Sequence, residues 1–204
     1  MNLPENQIIQ GDCLEILKDF PDNCVDLVLT DPPYGISADK GSIGYGYIDS
    51  RRYEGEWDNQ SPDQKYFNDI LRVSKKAIIW GGNFFTDKLP VSPHWLVWDK
   101  VADIQFDNPF SDCELAWTNI NRKSVKKHIC IQQGFISAEK ERHHPTQKPV
   151  QLFNWCLDKY TKPFDLILDC YLGSGTTCVA AEMLGRRWIG IDRHFKRILR
   201  HSKG

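Results

Sequence analysis

No apolar run in this 204-residue chain approaches the ~20 residues that a bilayer-spanning helix requires. The start, "MNLPENQIIQGD", lacks a basic patch followed by an apolar one, which fits a cytoplasmic protein without a membrane partner. There is no C-x-x-C pair. Seven cysteines are scattered at 13, 24, 113, 130, 156, 170 and 178, and an odd number without a secretory signal favours free thiols over a disulfide framework. His143 and His144 lack the cysteine spacing of a zinc site, so no metal is expected. A large net charge is missing too, the total being −1. At this length one full core is expected rather than two. Without an internal repeat or a composition break, residues 1–204 read as a single domain.

Charge is unevenly spread. Arg122 to Lys148 carries an excess of five positive charges, and Arg186 to the end an excess of six. Such asymmetry on a neutral body fits polyanion-facing surfaces as well as ordinary solvated faces.

Strand-like runs occur at 6–10, 25–30, 76–80, 94–99, 113–118, 164–169 and 186–192. Helical patterns lie between several of them. "SPDQKYFNDILRVSK" offers Ser61 as N-cap and Pro62 in its first turn, "KPVQLFNWCLDKYT" opens on Pro149, and "GTTCVAAEMLG" stops at Gly185. Strands alternating with helices imply a mostly parallel, doubly wound α/β sheet. "CELAWT" follows "HWLVWD" with no helix between, so an antiparallel strand is expected at that edge. Two stretches resist the scheme. Residues 35–60 hold five glycines, three tyrosines and paired arginines, and residues 119–147 are basic and polar around a lone "ICI". Loops of that length inside a compact domain are commonly functional.

"VDLVLTDPPYGI", 25–36, starts as a buried strand and stops at a corner. Pro32 and Pro33 have no N–H to donate and fix φ, and Asp31 before a proline is driven extended. The strand's carboxyl end therefore carries one carboxylate and the ring of Tyr34, where open α/β sheets bind ligands. "LILDCYLGSGTTCVAAEMLGRRWIGID", 166–192, is a strand, a glycine turn, a helix and a strand ending in Asp192. Gly173 and Gly175 permit a sharp turn that brings a ligand to the next helix N-terminus. An acid about 20 residues further on suits a ribose hydroxyl pair. The third glycine of a dinucleotide fingerprint is lacking, so a nucleoside cofactor without a pyrophosphate fits better than a nicotinamide.

"DPPYG", "HPTQKP" at 144–149 and "DCYLGSGTT" followed by "IGID" together resemble the motifs of the amino-group DNA methyltransferases that use S-adenosylmethionine. The catalytic motif precedes the cofactor motif, an order that resembles the β class, a circular permutation of the Rossmann-like methyltransferase fold. The resemblance implies a catalytic corner of Asp31, Pro32, Pro33 and Tyr34. It implies a cofactor site of Asp31, Asp169, Tyr171, Gly173, Ser174, Gly175 and Thr176, with Asp192 on the ribose and Asp12 near the adenosine. His144, Thr146, Gln147, Lys148 and Pro149 would flank the cofactor's carboxylate. The family usually has Pro and Phe where this chain has Cys170 and Tyr171; the ring is kept, the stiff turn is not. The permutation also places the first strand beside "WIGID" at the sheet edge.

That resemblance implies methyl transfer to an exocyclic amine of double-stranded DNA. Asp31 and the Pro32 carbonyl would accept from the amine's N–H groups and localise its lone pair, with Asp31 ionised at its ordinary value. Asp in the first motif position favours adenine; cytosine, where relatives more often carry Ser, and an inactive DNA-binding relative are the alternatives. "WGGNFF", 80–85, would be either a second wall of the base pocket or core packing. Tyr45, Tyr47, Arg51, Arg52, Tyr53 and Trp57 mix stacking groups with phosphate partners in loop 35–60. Residues 119–147 would form a small target reader, and a reader that short suggests a homodimer.

Overall fold

The computed structural model describes residues 3–36, 61–102, 104, 111–133, 136–137 and 147–193. Ten strands and four α-helices are present among them: β1 Gln7–Gln10, α1 Cys13–Leu17, β2 Leu27–Thr30, α2 Gln64–Val73, β3 Ala77–Trp80, β4 Trp95–Asp99, β5 Cys113–Thr118, β6 Lys126–Ile129, β7 Gln132–Gln133, β8 Ile136–Ser137, α3 Val150–Tyr160, β9 Leu166–Asp169, α4 Thr176–Met183 and β10 Arg187–Asp192. Eight strands form one sheet in the order β1-β10-β9-β2-β3-β5-β4-β6, and β7 and β8 make a separate hairpin.

Every residue of β2, β3 and β9 is buried, as expected of aliphatic strands covered on both faces. One face is covered by α1 and α2, with Tyr66, Phe67, Ile70 and Val73 packed on Val28, Ile79 and Leu168. The other is covered by α3 and α4, with Leu152, Phe153, Cys156 and Leu157 on Leu27, Leu29 and Ile167. Fully burying such a side chain stabilises by roughly 1.5–3 kcal/mol, and both helices bring theirs at three- and four-residue spacing.

β1 pairs in parallel with β10, Gln7 opposite Ile189 and Gln10 opposite Asp192, so the chain begins at the sheet edge as the permuted order implies. β9 pairs with β2. From β2 the chain continues one way, to β3; from β9 it continues the other way, to β10. The carboxyl ends of β2 and β9 therefore flank the point where strand order reverses.

Three local expectations are corrected. β4 and β5 run antiparallel as expected, but the antiparallel strand, β5, lies inside the sheet between β3 and β4 rather than at its edge, which is β6, parallel to β4. Asp63, not Ser61, caps α2: its carboxylate accepts from the Tyr66 N–H at 3.0 Å. A carboxylate one residue after Pro62 reaches the free amide that Ser61 is too far back to reach. Residues 119–133 are not structureless: β6 pairs Lys126 with Leu96, and Cys130 donates its N–H to Asp99 O at 3.0 Å. None of the seven cysteines, all of them among the described residues, is joined in a disulfide. No helix among the described residues is long and apolar enough to cross a membrane.

Candidate active site

β2 ends at Thr30, and the corner follows as the sequence suggests. Pro32 is buried, while Asp31, Pro33 and Tyr34 are half-buried. The Tyr34 hydroxyl donates to Asp31 Oδ1 at 2.7 Å, closing the corner on itself. "WGGNFF" packs directly against it. The Tyr34 and Phe84 rings stack with centroids 4.8 Å apart and planes 16° from parallel, and Phe85 meets Tyr34 edge-on at 6.1 Å. Gly81, at φ +69°, lies beneath the Tyr34 ring. The core-packing reading holds for Phe85, which is buried, while Phe84 stays 42% exposed beside the corner.

Lys148 reaches this corner from the segment ahead of α3. Its ammonium donates to Asp31 Oδ2 at 2.5 Å and to the Tyr34 hydroxyl at 3.0 Å. It also pairs with Glu114 Oε2, on β5, at 3.2 Å, and Glu114 Oε1 takes Lys100 at 3.1 Å. Lys148 is 6% exposed, against 25% for Asp31 and Glu114. Burial opposes the Lys148 charge, but the Asp31 and Glu114 carboxylates outweigh it and hold the ammonium well above its ordinary value. Burial also pushes the Asp31 carboxyl up, with Lys148 pulling down and Glu114 adding to the rise. The Asp31 carboxyl is therefore shifted, where the sequence reading had it at its ordinary value. Burial raises Glu114 as well, yet its two lysines leave it below the usual range. Glu114 and Lys100 escaped the sequence reading because one acid in a six-residue strand and one lysine after another carry no spacing signal.

Across the reversal point lies the second motif. Asp169, at the end of β9, is 3% exposed; it accepts from the Thr177 hydroxyl at 2.5 Å and the Tyr171 N–H at 3.1 Å. Burial pushes its carboxyl up to about 6 despite those hydrogen bonds. Gly173 and Gly175 have φ of +53° and +83°, and α4 starts directly after them. A Cβ on Gly175 would meet nothing within 4 Å, so the turn faces open space rather than neighbouring protein. Asp192, ending β10, accepts the Gly173 N–H at 3.1 Å. Ser174 and Thr176 share a hydroxyl hydrogen bond at 2.9 Å, and Thr176 donates to Lys148 O at 3.4 Å, joining the two motifs. The Gln147 carbonyl accepts from Gln132 at 3.1 Å. Asp12 caps α1 through the Leu14 N–H at 2.9 Å and pairs with Arg193 at 2.6 Å. Tyr171 packs edge-on to Tyr66, centroids 5.2 Å apart.

Open space before a glycine turn, carboxylates at 169 and 192 and hydroxyls at 174 and 176 make a donor and acceptor set that fits a nucleoside with a polar tail. His144, Thr146 and the aromatic and basic residues of 37–60 lie outside the described residues, as does the basic end from 194 onward. Among the described residues no group of three His, Cys, Asp or Glu is placed to hold a metal ion.

A family model described as "DNA methylase" matches residues 97–200. YubD of Escherichia coli (strain K12), which carries the name of a methylase, is 29% identical over 201 residues, spanning 92% of this chain and 84% of YubD. The Type II methyltransferase M.HinfI of Haemophilus influenzae is 26% identical over 237 residues; the match covers 95% of this chain and 66% of that protein. Among solved structures, the M1.HpyAVI–SAM complex superposes with a TM-score of 0.56 at 21% identity, covering 97% of this chain and 99% of that one. The cytosine-N4-specific PvuII DNA methyltransferase gives 0.61 at 16% identity, covering 96% and 84%.

Proposed function

The chain belongs to the DNA methylase family, and from that premise we propose that it moves a methyl group from S-adenosylmethionine to the exocyclic amino group of adenine in double-stranded DNA. The observation that carries this reading is the placement of the Asp31 carboxylate. It stands at the end of β2, beside the strand whose end opens into the glycine turn, so acceptor and donor sites meet at the reversal point.

S-adenosylmethionine supplies an electrophilic methyl on a sulfonium. The chain's own groups do the rest. Asp192 would hold the ribose of the nucleoside part, with Asp12 as a further polar neighbour. Asp169, Gly173, Ser174, Gly175, Thr176 and the segment at Gln147 and Lys148 would line the amino-acid part. Tyr171 would add a ring to that site. An exocyclic amine is a poor nucleophile because its lone pair is delocalised into the base. Asp31 and the Pro32 carbonyl accept from its two N–H bonds and draw the nitrogen toward pyramidal geometry, and the two prolines keep that aim without wandering. Once methylated, the nitrogen must lose a proton, and a carboxyl raised by burial takes it more readily than an ordinary one. The target nucleotide must leave the duplex at a cost of a few kcal/mol, which stacking offsets. Phe84, lying on Tyr34, presents that stacking face.

Asp at position 31 supports adenine over cytosine. The fold is shared with a cytosine-N4 enzyme and so does not separate the two. Incubation with isotope-labelled S-adenosylmethionine and plasmid, then nucleoside mass spectrometry, tests the reading. N6-methyladenine is expected; N4-methylcytosine would move the acceptor, and no label in DNA would overturn the reading. Asp31→Ala should abolish transfer while donor binding persists. Residues 119–147 serve as a small target reader, and a pair of copies would extend the footprint. A fully active complex of one copy per site in sedimentation would end that part of the proposal.

A further inference from the structure

Glu114 takes no part in the reaction as described, yet it lies within the site. The Lys148 ammonium donates to Asp31 Oδ2 at 2.5 Å and to the Tyr34 hydroxyl at 3.0 Å, and it forms an ion pair with Glu114 Oε2 at 3.2 Å. At 6% exposure it has little water to replace a lost partner. Its direction is therefore set by all three together, and Glu114 is the one outside the catalytic corner.

Charges alternate along the row Asp31, Lys148, Glu114, Lys100, contributed by the β2 corner, the segment before α3, β5 and the end of β4. Two carboxylates face two ammonium groups, so the Asp31 charge is balanced without help from solvent. Lys100 in turn holds the far oxygen of Glu114, which fixes the carboxylate plane that Lys148 meets.

We propose that Glu114 is a positioning residue for methyl transfer, acting through Lys148 to aim the Asp31 carboxylate. The inference rests on the reading of Asp31 as the group that holds the target amine. Glu114→Gln removes the charge at constant shape, leaves the Lys148 ammonium held mainly from one side, and lets it and the Asp31 carboxylate turn together. A misplacement of about 1 Å at a reacting centre costs up to ~100-fold in rate.

The same row gives a signature that loss of packing would not. The groups facing Asp31 are Lys148, Glu114, Tyr34 and Asp169. Of these, Lys148 lowers and Glu114 raises its proton affinity. Removing each charge must move the acid limb of kcat in opposite directions: Glu114→Gln to lower pH, Lys148→Met to higher pH.

The test is kcat against pH at saturating donor and DNA for wild type, Glu114→Gln, Glu114→Asp and Lys148→Met, with calorimetric Kd for S-adenosylmethionine and a thermal melt. Glu114→Gln should lower kcat by roughly 10- to 100-fold at unchanged donor Kd and show the acid limb displaced downward. Glu114→Asp, which keeps the charge, should recover part of kcat with an acid limb like that of wild type. A wild-type kcat in Glu114→Gln, acid limbs moving the same way, or donor affinity and melting temperature falling in step with kcat would overturn the inference alone. A wild type that transfers no methyl group would overturn the functional reading and this inference with it.

Discussion

The ring of Tyr34 occupies the space that a side chain on Gly81 would need: a Cβ there would stand 2.6 Å from Cδ1 and Cζ of the tyrosine. Gly81 also has φ +69°, where a residue with a Cβ is strained by about 1–2 kcal/mol. Gly81→Ala should therefore lower the melting point by only a few degrees. The ring must move, though, and its hydroxyl must leave Asp31 and Lys148. Methyl transfer should fall far more than stability does. Side-by-side thermal melts and initial rates check this; a variant with near-normal rates would show the tight approach to be incidental.

Phe84 covers Tyr34 from the solvent side and makes few demands on the core, being 42% exposed. Stacking between a base and an aromatic ring is worth roughly 1–3 kcal/mol, so Phe84→Ala should weaken DNA binding by about 10- to 100-fold at little loss of stability. The readout is the fluorescence of 2-aminopurine at the target position, which brightens when the base is unstacked and quenches again on an aromatic platform. Unchanged fluorescence and unchanged KM for DNA would place the extruded base elsewhere.

Much of this arrangement could be read from residues alone, for physical reasons. "LVLT", "AIIW" and "LILD" announce strands buried on both sides, and Pro32–Pro33 and the 173–175 glycines force the chain to turn where those strands end. The ends of the central strands are thereby marked in the sequence. β6 was not legible because "KKHI" alternates half-buried and exposed residues with no apolar face, and it forms only because β4 offers it an edge. The interior place of β5 depends on how a returning strand finds its partner, which adjacency in sequence does not determine. Lys148 was legible as a site residue within "HPTQKP" but not as Asp31's partner, since 117 positions separate them. Glu114 was invisible for the same reason: its role comes wholly from tertiary contact.

Asp192 offers a carboxylate to the Gly173 N–H and ends the strand beside β1. A hydrogen bond involving a charged group is worth about 1.5–3 kcal/mol, so Asp192→Asn should raise the donor's Kd by roughly 10- to 100-fold. β9 stands between β10, which ends in Asp192, and β2, which leads to the Asp31 corner, so kcat at saturating donor should stay close to wild type. A fall in kcat at unchanged Kd would instead place Asp192 in the chemical step.

Asp169 gives the fold a stability that depends on pH in a direction opposite to most carboxylates. Burial lifts its carboxyl from 3.8 to about 6, so between those values the folded chain holds a proton that the unfolded chain has released. Stability from this group is fully present below the unfolded value and is lost as pH rises through about 6. A shift of this size corresponds to ~3 kcal/mol for a buried group. The measurable quantity is the difference in urea unfolding free energy between wild type and Asp169→Asn, which cancels the titration of every other carboxyl. That difference should move by ~2 kcal/mol from pH 4 to pH 7, with wild type losing ground as pH rises. Above pH 6 the ionised, buried carboxylate is poorly solvated, though it keeps the Thr177 and Tyr171 hydrogen bonds. A cationic amino group bound beside it would relieve that penalty, so S-adenosylmethionine should stabilise wild type more at pH 7 than at pH 5. In Asp169→Asn that increment should vanish; equal increments in both proteins would mean that the carboxylate does not face the donor.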